Sequence, residues 1–295
     1  MRLFFTDRCV GAGYGFSTTR KAGWIAASLA REPPKNVTVC DAEDLTAENF
    51  SLVHDCKYVM AVETGFPRGW ALSQGFPAWD PGLWNAVCAS NGCVIAAVKT
   101  VLRDGGASGA LATGLHHARR ERGEGYCTFN GLALAALMAK DQGAERVLIL
   151  DLDAHCGGGT WSMVRNIPGV IHVDISVNDF DRYDPEAPHS LVILRRAKNY
   201  LNVLRHELRR VLKQGPFDVC LYNAGMDPFE GCLEGGIPGM TLGMLAERET
   251  LVFNTLREKN IPTAFVLAGG YIGPRLDQEG LVALHRLTIH AAANV

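Results

Sequence analysis

The chain has 295 residues with nine cysteines, a formal net charge of −2 and charged side chains at 20% of its positions, which suits one large α/β domain or two ordinary ones. The near-neutral charge excludes the basic surface of a nucleic-acid-binding protein, and no apolar run reaches the roughly 18 residues of a membrane span, so we expect neither partner. Because the cysteines form no Cys-x-x-Cys pair and Asp7 and Arg8 interrupt any signal-peptide core, we expect reduced thiols in a cytoplasmic protein.

Short apolar runs alternate with helical patterns along the chain, as is typical of an α/β protein with parallel strands. The predicted strands cover residues 3–5, 37–40, 107–112, 147–150, 170–174, 218–222 and 263–267. One predicted helix begins near Ser17 or Thr18, and another follows Cys127. Four more are predicted over residues 54–63, 81–104, 191–213 and 241–258. No linker or change in composition divides these elements, so residues 1–295 are predicted to form a single domain.

A glycine-rich loop follows the first predicted strand, with Gly11, Gly13 and Gly15 before the first helix. This spacing raises the hypothesis of a nucleotide-dependent oxidoreductase. The third glycine of the Gly-x-Gly-x-x-Gly pattern would fall at Phe16, where the helix must pack closely on the strand, so the pattern is incomplete. Dinucleotide binding therefore stays an alternative.

The strand over residues 147–150 ends in Asp151, Asp153 and His155. Residues at i, i+2 and i+4 of a strand point to one side, so these three side chains would converge. Two buried carboxylates repel each other unless a cation or histidines compensate their charge. A set of Asp, His and Asp ligands that leaves one coordination position open suits a catalytic Zn²⁺. The alternative is that the carboxylates cap the next helix and the histidine packs in a loop.

Two adjacent histidines, His116 and His117, follow the strand over residues 107–112. A lone histidine there would be structural, but a tandem pair near the aspartate strand indicates proton transfer, because histidine titrates near neutrality. Polar or glycine-rich groups also follow two later strands, at residues 223–227 and 268–271. The carboxyl ends of parallel strands are where open α/β sheets bind ligands.

Five short motifs occur in the order and approximate spacing of the zinc-dependent histone deacetylase family, which the chain resembles. They are Gly114-Leu115-His116-His117-Ala118, Gly125-Tyr126-Cys127, Asp151-Leu152-Asp153-Ala154-His155, Asn223-Ala224-Gly225-Met226-Asp227 and Gly269-Gly270-Tyr271. The resemblance extends from about Leu52 to the last helix and is greatest to class IV-like members and bacterial histone deacetylase-like amidohydrolases. It implies an arginase/deacetylase-like α/β fold, a parallel sheet of about eight strands with helices on both faces and the site at the carboxyl ends of the strands.

The resemblance implies one zinc ion per chain, with Asp153, His155 and Asp227 as its ligands. The family also has a structural monovalent-cation site, usually for K⁺. Asp174 and the backbone of residues 151–155 match that second site more loosely.

The resemblance further implies that His117 is the general base for water and then the acid for the leaving amine. His116 would pair with Asp151 as a supporting electrostatic partner, and Tyr271 would donate a hydrogen bond to the oxyanion of the tetrahedral intermediate. The implied substrate-binding positions are Gly125 and Tyr126, with tyrosine in the tunnel wall where family members usually have phenylalanine.

Three departures from the family pattern concern the pocket. Residues 9–19 replace a His-Pro-Glu segment, and the rim has no assignable acidic anchor, with Glu63 and Asp80 as guesses. Many relatives have His-Gly-Asp-Gly where residues 156–159 read Cys-Gly-Gly-Gly, so Gly158 replaces the carboxylate that would orient His117. A histidine without that partner would have a lower pKa, unless Asn130 or a residue of the 175–190 loop takes its place. Cys156 is either a thiolate ligand or a buried reduced thiol.

The resemblance implies a zinc-dependent deacetylase that hydrolyses the amide of an N-acetyl-lysine-like or other N-acyl amine. The nearest alternative is an amidohydrolase of the same fold for another small N-acyl substrate, such as an acetylated polyamine or a biosynthetic intermediate. A catalytically weak binding protein that keeps the pocket is a further alternative, which Gly158 makes conceivable.

Overall fold

One parallel sheet organises the computed structural model, which describes residues 1–294. Its eight strands are β1 Arg2–Phe4, β2 Thr38–Cys40, β3 Ala107–Ala110, β4 Val147–Asp151, β5 Val170–Ser176, β6 Ser190–Ile193, β7 Val219–Asn223 and β8 Thr263–Val266. Their order across the sheet is β2-β1-β3-β8-β7-β4-β5-β6. The apolar run of β4 is fully buried in this inner position, as expected for a parallel strand covered on both faces.

Helices connect the strands. They are α1 Ser17–Arg31, α2 Ala47–Ser51, α3 Cys56–Thr64, α4 Arg68–Ala71, α5 Gly82–Asp104, α6 Gly131–Asp141, α7 Gly158–Val164, α8 Tyr200–Leu212, α9 Leu242–Glu258 and α10 Gln278–Ala293. Thr241 caps α9 by accepting a hydrogen bond from the Met244 N–H. Helix α1 begins at Ser17, where the sequence predicts its start, and Phe16 is its N-cap.

The sheet separates two apolar cores. Along β4, Leu148 and Leu150 belong to one core, while Val147 and Ile149 belong to the other, as strand alternation requires. Helices α1, α8, α9 and α10 pack into the first core, and α5 and α6 pack into the second. Helices on both faces confirm the predicted α/β architecture.

Strand β6 was not predicted. The pattern of residues 191–213 predicts one helix, but Ser190–Ile193 pairs with β5 at the edge of the sheet and α8 begins only at Tyr200. The run Leu191, Val192, Ile193 is short and rich in β-branched residues, so its apolar character suits a half-buried edge strand as well as a helix.

Helix α5 is long and apolar enough to cross a membrane by length and composition, with a mean hydropathy of 1.4 over its most apolar window. Its sequence is not an uninterrupted apolar run, because it includes Asn85, Asn91 and Lys99. In this structure 67% of that window is buried inside the protein. The apolar residues of α5 pack in the second core.

The register of the sheet brings the polar strand ends together. Asp151 at the end of β4 lies beside Asp174 on β5 and beside Asn223 on β7. Asn223 in turn lies beside Val266 at the end of β8. The segments that follow β4, β7 and β8 therefore emerge next to one another.

Candidate active site

Three predicted zinc ligands, Asp153, His155 and Asp227, converge beyond the ends of β4 and β7. Their ligand atoms all lie within 4.8 Å of one another. His155 Nδ1 is 3.1 Å from Asp153 Oδ1 and 3.2 Å from Asp227 Oδ2. Both carboxylates are buried, and the His155 side chain is 12% exposed, so the cluster is open only on the histidine side.

Backbone groups fix both carboxylates. Asp227 Oδ1 accepts the Ala154 N–H at 2.9 Å, and Asp153 Oδ2 accepts the Gly269 N–H at 2.8 Å. A Cβ atom on Gly269 would lie only 2.2 Å from Asp227 Oδ2. The glycine of the Gly-Gly-Tyr motif is therefore required for this close approach of backbone to carboxylate.

The cluster fits a divalent cation. Burial and the neighbouring charge of Asp153 raise the pKa of Asp227 to about 6. Within residues 1–294, the fully buried Asp227 Oδ2 accepts no hydrogen bond, although the His155 ring lies 3.2 Å away. A cation bound by Asp153, His155 and Asp227 would compensate both carboxylates and use this free oxygen, and two oxygens with one nitrogen are a suitable donor set for Zn²⁺.

His116 forms an ion pair with Asp151, as predicted. His116 Nδ1 is 2.9 Å from Asp151 Oδ2, and Asp151 Oδ1 accepts a hydrogen bond from the Asn223 side chain at 2.8 Å. Burial lowers the pKa of His116, but the charges of Asp151 and Asp153 outweigh burial and raise it to about 10. His116 is therefore a cation near neutral pH.

His117 has a carboxylate partner from the 175–190 loop, which is the alternative that the sequence left open where Gly158 replaces the usual carboxylate. His117 Nδ1 lies 3.0 Å from Asp181 Oδ2, and Asp181 belongs to the loop between β5 and β6. Asn130, the other suggested substitute, caps α6 and donates to Ala118 O at 2.9 Å. Burial and the charge of His116 lower the pKa of His117 to about 4, despite the opposite effect of Asp181. The side chain is thus neutral near pH 7.

An aromatic pocket of about 390 Å³ leads to these residues. Its lining is His117, Gly125, Tyr126, His155, Asn178, Phe180, Glu234 and Tyr271. The Phe180 ring lies 5.0 Å from that of His117, so the loop that supplies Asp181 also supplies part of the wall. A Cβ atom on Gly125 would lie 2.5 Å from His117 Cδ2, which explains glycine at this position.

The acidic residue in this lining is Glu234, which sequence reasoning missed. Neither guess, Glu63 or Asp80, lines the pocket. Asp80 instead accepts the N–H groups of Gly13 at 3.2 Å and Gly82 at 2.7 Å. Because this bond occupies the Gly13 N–H, the glycine-rich loop does not present it to a phosphate, which argues against dinucleotide binding.

Tyr271 lines the pocket beside a buried lysine. Burial and the charges of Asp227 and Asp153 raise the pKa of Tyr271 well above its usual value, so its hydroxyl is protonated and can donate. Lys21 Nζ donates to Ala268 O and, at 3.4 Å, to Gly270 O. Lys21 therefore ties α1 to the segment before Tyr271. The sequence offers no indication of this role, since Lys21 is a single lysine in an amphipathic helix.

Two other sequence hypotheses concern Cys156 and the second cation site. Cys156 Sγ donates to Asn178 O at 3.3 Å, and burial raises the pKa of this thiol to about 12, which disfavours a thiolate ligand. Asp151, His172 and Asp174 form a second cluster within 4.8 Å. Burial and the charge of Asp151 raise the pKa of Asp174 to about 7, so a cation would compensate this cluster as it would the first, and the K⁺ site stays a prediction.

Comparison with known proteins identifies the class. The model of the histone deacetylase domain matches residues 16–186, and the chain belongs to the histone deacetylase family. An uncharacterized protein of Picosynechococcus sp. is 33% identical over 256 residues, which cover 83% of this chain and 81% of that protein. Histone deacetylase 2 of Arabidopsis thaliana is 30% identical over 55% of this chain and 43% of its own length. The polyamine deacetylase HDAC10 of Homo sapiens is 31% identical over 49% of this chain and 23% of its own length.

Solved structures confirm the arginase/deacetylase-like fold. The HDA15 HD domain superposes with a TM-score of 0.81 at 19% identity, over 99% of this chain and 89% of that one. An acetylpolyamine aminohydrolase from Burkholderia pseudomallei superposes with a TM-score of 0.78 at 19% identity, over 99% of this chain and 98% of that one. The predicted family and fold class are both confirmed.

Proposed function

We propose that this protein hydrolyses the amide bond of N-acyl amines, such as N-acetyl-lysine, with one zinc ion per chain. Asp153, His155 and Asp227 would hold the ion. The proposal depends above all on one observation: these three ligand atoms meet near the neutral His117, and His117 and His155 both line the aromatic pocket. When bound, zinc would polarise the amide carbonyl and lower the pKa of a water molecule.

His117 is positioned to move protons in this reaction. With Nδ1 directed at the Asp181 carboxylate, the proton of the neutral ring belongs on Nδ1, and Nε2 is left as the acceptor. Nε2 takes a proton from the attacking water and then gives it to the leaving amine, as a general base and acid do in turn.

Tyr271 and His116 stabilise charge during the same step. The protonated Tyr271 hydroxyl donates to the oxyanion that develops on the acyl carbonyl. The cationic His116 lies with its Nε2 3.6 Å from Asp153 Oδ1 and keeps the buried carboxylates compensated. Asp151 holds that cation in place.

Acetylated polyamines are a second candidate substrate class, favoured by Glu234. This carboxylate is exposed and lines the same pocket as His155 and Tyr271. A polyamine has further cationic amines beyond its acetyl group, and a carboxylate near the pocket would attract them. Two similar proteins, HDAC10 and the acetylpolyamine aminohydrolase, are named for polyamine substrates, which agrees with this candidate.

A substrate comparison tests both proposals. The zinc-loaded protein and its Glu234→Gln variant are assayed for amine release from an acetyl-lysine peptide and from N-acetylated di- and triamines. If polyamines are substrates, Glu234→Gln should lower kcat/KM for them about three- to fivefold, the effect of an exposed ion pair, and leave the peptide unchanged. Glu63→Gln, outside the pocket, is the matched control. Equal effects on both substrates would exclude the Glu234 role, and binding without any amine release would indicate a silent pocket protein.

A further inference from the structure

The Asp181 carboxylate is held by three donors. Its Oδ2 faces His117 Nδ1 at 3.0 Å and accepts the Gly159 N–H, also at 3.0 Å. Its Oδ1 accepts from the Arg119 guanidinium. The Asp181 side chain is only 1% exposed, so these contacts are shielded from water. Each carboxylate oxygen therefore has a defined orientation.

The space for Asp181 exists because residue 158 is glycine. A Cβ atom on Gly158 would lie 2.3 Å from Asp181 O and 2.5 Å from Asp181 Oδ1. A side chain at position 158 and the observed Asp181 loop thus exclude each other. A carboxylate introduced by Gly158→Asp would displace the loop and would not simply add a second partner for His117.

Arg119 connects Asp181 to the segment that carries the base. Arg119 lies two residues after His117, donates to Gly158 O at 3.2 Å and pairs with Glu124 at 3.1 Å. The same segment therefore binds both oxygens of Asp181, with His117 on one and Arg119 on the other. Asp181 has a φ of 60°, in the left-handed region that Asp tolerates better than most side chains. These contacts hold it there.

We propose that Asp181 is the positioning residue of His117, that Arg119 orients it, and that Gly158 makes room for it. Asp181 comes from a different part of the chain from the carboxylate that relatives have at position 158. This inference rests on the proposed amide hydrolysis. It assigns Asp181 the task of keeping the His117 proton on Nδ1, so that Nε2 can accept the proton of water.

An Asp181→Asn substitution separates positioning from simple ion pairing. An amide has one oxygen, and both Arg119 and the Gly159 N–H require an acceptor. The charged Arg119 should take the oxygen, which turns the amide N–H₂ toward His117 Nδ1. Nδ1 must then accept, so the ring proton moves to Nε2 and blocks the base. We expect kcat to fall about 100-fold or more with KM nearly unchanged.

The experiment combines kinetics with nitrogen NMR of isotope-labelled histidines in the zinc-loaded protein. Asp179→Asn is the matched control, because Asp179 lies in the same loop and pairs with Arg195 at the surface. Wild type and control should show His117 protonated on Nδ1, and Asp181→Asn should show it on Nε2. Arg119→Met, which keeps the carboxylate, should lower kcat less, about three- to tenfold, and serves if Asp181→Asn does not fold.

Unchanged kcat and tautomer in folded Asp181→Asn would overturn the proposal and leave Asp181 as an ion-pair partner of Arg119. A rise in KM with an unchanged tautomer would also overturn it, since this would indicate only a structural role. If wild type releases no amine from any substrate, the proposed function fails. The NMR tautomer then still decides separately whether Asp181 positions His117.

Discussion

Burial affects His117 more strongly than its charged neighbours do. Burial lowers its pKa most, the charge of His116 lowers it further, and Asp181 raises it, with a result of about 4. An ordinary histidine titrates near 6.5. The neutral form of His117, which the proposed base role requires, therefore persists in mildly acidic solution with Asp181 as its carboxylate partner.

The pH dependence of turnover follows from this shift. Because the pKa of His117 is lowered, its neutral form persists as pH falls through 6.5 and is lost only toward pH 4. We expect the acidic limb of kcat/KM to lie well below pH 6.5 for the zinc-loaded protein. Metal content at each pH is the control. A limb centred near pH 6.5 or higher with full metal occupancy would contradict this role for His117.

Tyr271 is the next residue to test. If its hydroxyl meets the oxyanion only as the tetrahedral intermediate forms, Tyr271→Phe should lower kcat by roughly 10²- to 10³-fold and leave substrate affinity nearly unchanged. Steady-state kinetics and equilibrium binding of a non-hydrolysed substrate analogue measure the two effects. Weaker binding with normal turnover would place Tyr271 outside the oxyanion interaction.

At the scale of elements, helix α9 supports the loop that carries the proposed ligands Asp153 and His155. Arg248 is fully buried, lies 2.7 Å from Glu249 Oε1 and donates to Leu152 O at 3.1 Å, between Asp151 and Asp153. Glu249 also accepts from the Tyr222 hydroxyl of β7 at 2.7 Å. This buried network joins α9 to both strands that end at the site.

Removal of Arg248 should be strongly destabilising. Arg248→Met leaves Glu249 as a buried charge without its cation, and we expect a loss of about 3–5 kcal/mol in the free energy of unfolding. Arg205→Met is the control, since the Arg205–Glu247 pair is partly exposed and should contribute less than about 1 kcal/mol. Denaturant unfolding of both variants gives the comparison. Equal losses of unfolding free energy in the two variants would mean that the buried network contributes no more to stability than the exposed ion pair.

The elements that the sequence predicted well are those with one clear pattern. Strand β4 was predictable because an apolar run ends in Asp-x-Asp, and α5 because its helical pattern begins at a proline. Strand β6 was missed because its few apolar residues suit a helix equally well. Asp181 could not be identified individually, because its contact with His117 joins residues 64 positions apart through an irregular loop.

At the scale of the whole molecule, the order of the motifs was more informative than any single motif. Five short segments in register predicted the family and the parallel fold, both of which are confirmed. The pocket rim was not predictable, because exposed residues such as Glu234 follow no periodic pattern. The single domain, the cytoplasmic location and the individual roles of the site residues stay predictions.

Zinc-dependent hydrolysis by the three-ligand site is most directly tested by a zinc titration. Chelator-treated protein is supplied with zinc while amine release from an acetylated substrate is measured. Turnover should rise in proportion to added zinc and level off at about one ion per chain. Asp227→Ala should stay folded by circular dichroism but neither retain zinc nor gain turnover. Full turnover in the chelated wild type, or one tightly bound zinc ion in Asp227→Ala, would contradict the proposed metal site.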